Sequence, residues 1–133
     1  MLEIKPLLVV GIGGALGSVA RYKLGGFVLH HTEGWNFPVS TFLVNVLGCF
    51  VIGILAALVE HHDLFSPSLR LLLFTGVLGG FTTFSAFGYE SVYLFRRHLL
   101  PVAASYLTLS VICGVAAVFA AMKLVDLFWP ARH

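Results

Sequence analysis

Four apolar runs, at residues 6–29, 39–59, 69–95 and 100–125, govern what this chain can become. Each is near or above the roughly 20 residues that a helix needs to cross the hydrocarbon core of a bilayer. Spanning backbone must satisfy its own hydrogen bonds, so four such runs joined by short connections predict four transmembrane helices. Composition agrees: 59% of the residues are hydrophobic and 11% charged, where a soluble domain carries about a quarter charged residues. The first run is not read as a cleaved signal peptide, because only Lys5 precedes it and three more spans follow. Arg21 and Lys23 fall within it, so its core is expected at 6–20, with both cations snorkelling to the headgroups. Pro38, Pro67 and Pro101 mark connections, and Trp35 and Trp129 suit the interfaces. Residues 1–133 are thus expected to form one all-α, four-helix transmembrane domain.

The charges carry no orientation signal. An even number of spans puts Lys5, Arg70, Lys123 and Arg132 on one side and Arg21, Lys23, Arg96 and Arg97 on the other, four against four. The six histidines also divide three and three. The positive-inside rule works through a difference in such counts. Without one, a chain can insert both ways and two inverted copies can pair as an antiparallel dimer. The alternative is a weak bias hidden by a miscount at Arg21 or Lys123. Four helices leave no room for an aqueous lumen, so transport would need at least a dimer. In the first helix Gly11, Gly14, Gly17 and Ser18 favour close packing, with Gly13 and Gly17 in small-xxx-small spacing. The stretch VVGIGGALG, with Glu33 downstream, also has the look of a dinucleotide fingerprint. That fingerprint needs a βαβ unit, whereas another hydrophobic span follows here.

Polar residues inside the spans fall on faces. Thr41, Asn45 and Gly48 share one on the second helix; Tyr106, Ser110 and Gly114 share one on the fourth, with Cys113 beside it. Unpaired polar groups in hydrocarbon are costly, so these faces should look into protein. Interhelical hydrogen bonding is the plain account for hydroxyls, but a mid-membrane amide such as Asn45 wants several partners. Of the acids Glu3, Glu33, Glu60, Asp63, Glu90 and Asp126, only Glu90 lies well inside a span. Amide and hydroxyl donors with almost no negative charge suit an anion better than a cation.

The segment GGFTTFSAFG, residues 79–88, interrupts an otherwise ordinary apolar helix. Gly79 and Gly80 favour a break near 79–83, and irregular backbone at membrane depth is tolerated only where it is buried or lines a cavity. A break frees carbonyl oxygens, and rings of such oxygens hold dehydrated alkali cations. Phe84 and Phe87, at i and i+3, project from one face, and their positive ring edges could flank an anion. Thr83, Ser85 and Asn45 could add hydrogen bonds. The competing account is a kinked helix whose phenylalanines face lipid or core.

Three motifs, GGALGSVARY at 13–22, STFLVNVLGCFVIG at 40–53 and GVLGGFTTFSAFGYE at 76–90, carry a family resemblance that favours the first account. The chain resembles, along essentially its whole length, the small bacterial fluoride channels of the CrcB, or Fluc, family. The resemblance implies a multi-pass protein of the bacterial inner membrane, a dual-topology antiparallel homodimer with two pores along the subunit interface. Its partners would be fluoride, the lipid bilayer and a second copy, with no nucleic acid. By motif, Asn45, Phe84 and Phe87 match the pore asparagine and aromatic pair, and Thr83 and Ser85 match hydroxyls near the fluoride path. Tyr106 and Ser110 resemble a polar track on the fourth helix, which Gly114 leaves without its next hydroxyl. The carbonyls of Gly79 and Thr82 match positions that hold a central structural sodium ion. Arg21 matches an arginine near a pore vestibule, and Glu90 the acid after the aromatic pair; Ala86 stands where many members have threonine. Fluoride is small and strongly hydrated, so its path must offer dense donors yet release it.

The alternatives are a four-helix, dual-topology exporter of small molecules or cations, a membrane enzyme, and a purely structural membrane subunit without transport. A proton-coupled exporter wants a membrane-embedded carboxylate that the first helix lacks. For a metalloenzyme, His30–His31 and His61–His62 would be the candidates, but they lie at opposite faces of one chain. Cys49 and Cys113 lack CxxC spacing and read as small buried residues. With no nucleophile–base pair visible, no enzyme is expected.

Overall fold

The structure is a computed structural model that describes residues 4–130, all of them in helices or their connections. Helix α1 is Ile4–His31, α2 is Val39–His62, α4 is Phe84–Arg96 and α5 is Leu100–Phe128. Between α2 and α4 lies α3, residues 67–81, which starts as an α-turn at Pro67–Arg70, widens into a π-helix at Leu71–Leu78 and closes at Gly79–Phe81. Four helical stretches are long and apolar enough to cross a membrane, the third being α3 and α4 together, Pro67–Arg96. This is an all-α membrane protein. Glu3, Arg132 and His133, part of the charge inventory, lie outside the described residues.

The connections follow local chemistry. Asp63 ends α2 in the left-handed region (φ 48°), and its N–H donates to the Val59 carbonyl. The Ser66 hydroxyl then accepts from the Leu69 N–H, with Pro67 in the first turn of α3. Arg70 reaches back to the Phe65 carbonyl (2.9 Å) and pairs with Asp63. At the same end His61 Nε2 sits 2.9 Å from Asp126 Oδ1, tying α2 to α5.

Glycines set how closely the helices approach. A Cβ on Gly13 would lie 2.7 Å from the Leu72 carbonyl oxygen and 2.9 Å from Gly76 Cα, and one on Gly17 would overlap the Val77 carbonyl. Gly80 meets the Gly14 backbone in the same way. Helices α1 and α3 therefore touch backbone to backbone, the geometry that small residues permit in membranes. Gly53 does the same for α2 against Val118 of α5. Gly11, grouped with the packing glycines on sequence grounds, faces open space. At the other end of the bundle Leu94, Ala103 and Tyr106 form a buried cluster, flanked by Phe37, Phe42 and Phe87.

The third span is interrupted, but two features differ from expectation. LLLFTGVL, which reads as ordinary α-helix, is π-helical; the Gly79 N–H reaches the Phe74 carbonyl five residues back. The break falls at Thr82 and Thr83, not at the glycines. Gly79 remains helical (φ −62°, ψ −36°), whereas Thr82 (φ −84°, ψ 158°) and Thr83 (φ −148°, ψ 116°) are extended. The reason is hydrogen bonding. Gly80 serves the contact with α1, while the threonines have side chains that satisfy the helix ends the break exposes. Thr82 Oγ1 donates to the Leu78 carbonyl (2.8 Å), and Thr83 Oγ1 accepts from the Ala86 N–H (3.2 Å) as the cap of α4.

Candidate functional site

Extended backbone at membrane depth has lost its helical partners and needs others. Asn45 supplies them. Its amide N–H donates to the Thr83 carbonyl (3.0 Å), and its side-chain oxygen accepts from the Thr83 N–H (2.8 Å). Both polar groups of one extended residue are thereby held, in the manner of a two-bond rung between strands. Gly48, one turn on, is bare because a Cβ there would overlap the Thr82 methyl. These residues fall on the Asn45 face of α2, which fixes where the break sits.

Beside the break opens a cleft of about 400 Å³ between α2, α3, α4 and α5. Asn45, Thr82, Thr83, Phe84, Phe87 and Ser110 all line it, with Gly79 at its wall and Ile52 and Phe74 among the apolar residues. The Phe84 and Phe87 rings lie 5.7 Å apart, centroid to centroid. Phe84 is 84% exposed, while Phe87 packs on the Tyr106 ring at 5.2 Å. Ser110 Oγ is buried without a hydrogen-bond partner among the described residues. A donor left unpaired beside a mostly apolar cleft is a place where a ligand can be held.

Not every expected residue is at the cleft. Ser85 is exposed and its hydroxyl lies 3.3 Å from Thr83 Oγ1, outside the lining. Tyr106 is fully buried beneath Phe87, and its hydroxyl donates to Glu90 Oε2 (2.6 Å). Arg21 borders a separate groove of about 370 Å³ that runs along α1 and shares Thr83 with the cleft. Gly114 is buried on α5, where a side chain would crowd the Cys49 thiol.

Glu90 gains a role beyond its motif position. Thr41 Oγ1 donates to its Oε1 (2.7 Å) and the Tyr106 hydroxyl to its Oε2, so one carboxyl group bridges α2 and α5. The sequence signal was available in pieces: Thr41 on the Asn45 face, Glu90 as the one acid deep in a span, Tyr106 on the fourth helix. Only the fold joins them.

The break also redirects two amides. The Thr83 N–H, which would bond the Gly79 carbonyl in a continuous helix, goes to Asn45, and the Ala86 N–H goes to the Thr83 side chain instead of the Thr82 carbonyl. Gly79 and Thr82 are left with hard, neutral oxygens free of α-helical partners. Such oxygens suit an alkali cation and would not suit a soft metal.

The fold and the cleft define a helical membrane protein whose broken third span borders a pocket of amide, hydroxyl and aromatic groups. The family model described as "CrcB-like protein, Camphor Resistance (CrcB)" matches residues 8–122. A "Fluoride-specific ion channel FluC" of Methylobacillus flagellatus is 46% identical over 121 residues, covering 91% of this chain and 94% of that protein. Proteins of the same name from Rhizobium etli and Rhodospirillum centenum are 49% and 43% identical, covering 88% and 92% of this chain and 93% and 96% of theirs. The chain belongs to the CrcB-like family.

Proposed function

We propose that this protein is a fluoride-selective ion channel of the bacterial inner membrane, passing fluoride passively and electrogenically out of the cytoplasm and so conferring resistance to it. The observation that carries the reading is the convergence of Asn45, Thr83, Phe84, Phe87 and the unpartnered Ser110 hydroxyl on one cleft at the helix break. Donors and ring edges without a free cationic group replace the hydration of a small anion and still let it go.

The working unit is an antiparallel, dual-topology homodimer with two pores. Support comes from the open cleft itself. Amide, hydroxyl and extended backbone cannot face lipid at that depth, and Phe84 stands exposed beside them. A second copy covers both, and the balanced charges allow it to insert inverted. Within that dimer Phe84, Phe87, Asn45, Thr83, Ser85 and Ser110 serve the fluoride path, with Tyr106 as its buried support and Arg21 at a vestibule. The carbonyls of Gly79 and Thr82 would hold a structural sodium ion at the dimer centre. When bound, the ion supplies positive charge that offsets the crowding of these oxygens.

The test is anion efflux from liposomes containing the purified protein, read with fluoride and chloride electrodes at saturating valinomycin. Rapid loss of fluoride with chloride retained is expected. Retention of both ions by intact dimers in sodium buffer would refute the channel reading.

A further inference from the structure

The two membrane ends of the chain carry equal numbers of Lys and Arg but not of acids. The end with Lys5, Arg70, Lys123 and Arg132 also has Glu3, Glu60, Asp63 and Asp126, four against four. There Arg70 pairs with Asp63, and Asp126 sits between His61 and Lys123. The opposite end sets Arg21, Lys23, Arg96 and Arg97 against Glu33 alone, and Glu33 lies 3.5 Å from His30. Among the described residues no carboxylate is within ion-pair distance of those four cations.

Two of the four complete a groove. Tyr89, Val92, Tyr93, Arg96 and Arg97 stand at i, i+3, i+4, i+7 and i+8, one face of α4, and line a space of about 420 Å³. All five are exposed. The Tyr89 and Tyr93 rings stack at 6.5 Å, and the Arg97 guanidinium lies 5.7 Å from the centre of the Tyr93 ring. Arg97 Nη1 donates to the Tyr93 hydroxyl (2.9 Å), which holds the guanidinium over the ring and leaves the phenolic proton available. The Arg96 guanidinium has no hydrogen-bond partner among the described residues. The helix macrodipole favours cations at this end of α4, but it does not call for a guanidinium held in place beside two stacked phenols.

We propose that this groove binds the headgroup phosphate of an anionic phospholipid. Its position suits an amphiphile. Eight residues of helix cover about 12 Å, and each headgroup layer of a bilayer is about 5–7 Å thick. With Arg97 among the phosphates, Val92 and Tyr89 lie level with the glycerol and the upper acyl chain. The groove changes from cationic to apolar in the same direction as the lipid. Planar guanidinium groups match phosphate oxygens two bonds at a time, and the Tyr93 hydroxyl adds a third donor. A zwitterionic headgroup brings an ammonium that the surplus positive charge at this end repels, whereas phosphatidylglycerol brings none. The inference does not depend on the channel reading, only on the third span crossing the membrane.

Native mass spectrometry of the purified protein tests it, with phosphatidylglycerol, phosphatidylethanolamine and inorganic phosphate titrated separately and in competition. Phosphatidylglycerol should bind the more tightly of the two lipids, one per chain. Arg96→Gln/Arg97→Gln should weaken it by about thirtyfold, the effect of two basic residues at an anionic surface, with little change for phosphatidylethanolamine. Arg96→Lys/Arg97→Lys keeps the charge but loses the planar fork, and should weaken it severalfold; Tyr93→Phe, which removes the third donor, should do the same. Equal retention of the two lipids, or unchanged phosphatidylglycerol binding in the glutamine pair, would overturn the inference. So would a lysine pair that binds like the parent, because diffuse charge would then suffice. Displacement of the lipid by inorganic phosphate at equal concentration would assign the groove to the free ion instead. A glutamine pair that changes oligomeric mass on gel filtration but keeps its lipid selectivity would assign the patch to a second copy, and also overturn the inference. Fluoride efflux reports separately: its absence from the parent would overturn the channel reading and leave the lipid site standing.

Discussion

Replacing Asn45 by alanine removes both bonds that hold Thr83 in its extended conformation, 2.8 and 3.0 Å long, while leaving Thr83 itself untouched. Each of the two backbone groups left unpaired in an apolar setting costs about 1–3 kcal/mol, a figure that already contains the lost bond, so the sum is about 2–6 kcal/mol. The cleft is open enough for water to reach the orphaned groups, which pulls the sum toward the low end, about 2–4 kcal/mol. A loss of that size lowers the thermal unfolding midpoint in detergent by roughly 10 °C. Fluoride flux should fall with it, because the donors at the break lose their positions. Asn45→Asp separates the two effects. Its carboxylate still accepts from the Thr83 N–H but opposes the Thr83 carbonyl and brings negative charge to the cleft. Its flux should therefore fall further than its stability. If Asn45→Ala unfolds within about 1 °C of the parent and conducts normally, Asn45 does not fix the break.

The close contact of α1 and α3 predicts that Gly17→Val, whose Cβ would overlap the Val77 carbonyl, costs about 3 kcal/mol or more. Gly11→Ala, in open space, should stay within about 0.5 kcal/mol; the yield of folded dimer in detergent distinguishes them. Phe84→Ile and Phe87→Ile should each cripple fluoride efflux with the dimer still assembled, and normal flux in both would remove the ring pair from the mechanism. His98 sits at φ 56° in the connection before α5. His98→Gly should unfold no earlier than the parent, whereas the branched His98→Val should lose about 1 kcal/mol, both read by thermal unfolding.

The spans were legible because hydrophobicity over some 20 residues is a long signal, summed over many side chains. The shared face of α2 was legible for a similar reason, since helical period alone puts Thr41, Asn45 and Gly48 together. The position of the break was not. Gly79 and Gly80 are the poorer helix formers by intrinsic propensity, yet they stay helical and Thr82–Thr83 do not. Propensity describes an isolated helix. Here the outcome depends on a tertiary pair, Asn45 to Thr83, 38 residues apart in sequence, and on an α1 backbone that occupies the space a side chain at 80 would need. The π-helical turn at 71–78 leaves no compositional trace for the same reason. Its hydrogen bonds shift by one residue without asking anything different of the side chains.

Glu90 presents the hardest case for a pathway that carries an anion, because a carboxylate near the cleft should repel it. The geometry lessens the conflict. Thr41 and Tyr106 each donate to one carboxyl oxygen, at 2.7 and 2.6 Å, which places both oxygens against neutral donors. Charge-assisted bonds of this kind are the strong ones, and they fix the group's orientation as well as its energy. Phe87 lies over Tyr106 and separates that network from the cleft. The cleft is therefore lined by the amide of Asn45, the hydroxyls of Thr83 and Ser110 and the rings of Phe84 and Phe87, while the acid that shares their membrane depth is bound one layer behind. Losing the Tyr106 hydroxyl would free one oxygen of Glu90 without disturbing that lining. Tyr106→Phe, which keeps the ring under Phe87, should therefore lower fluoride flux while preserving the dimer. Unchanged flux would mean that the carboxyl group does not need its second donor to stay out of the anion's way.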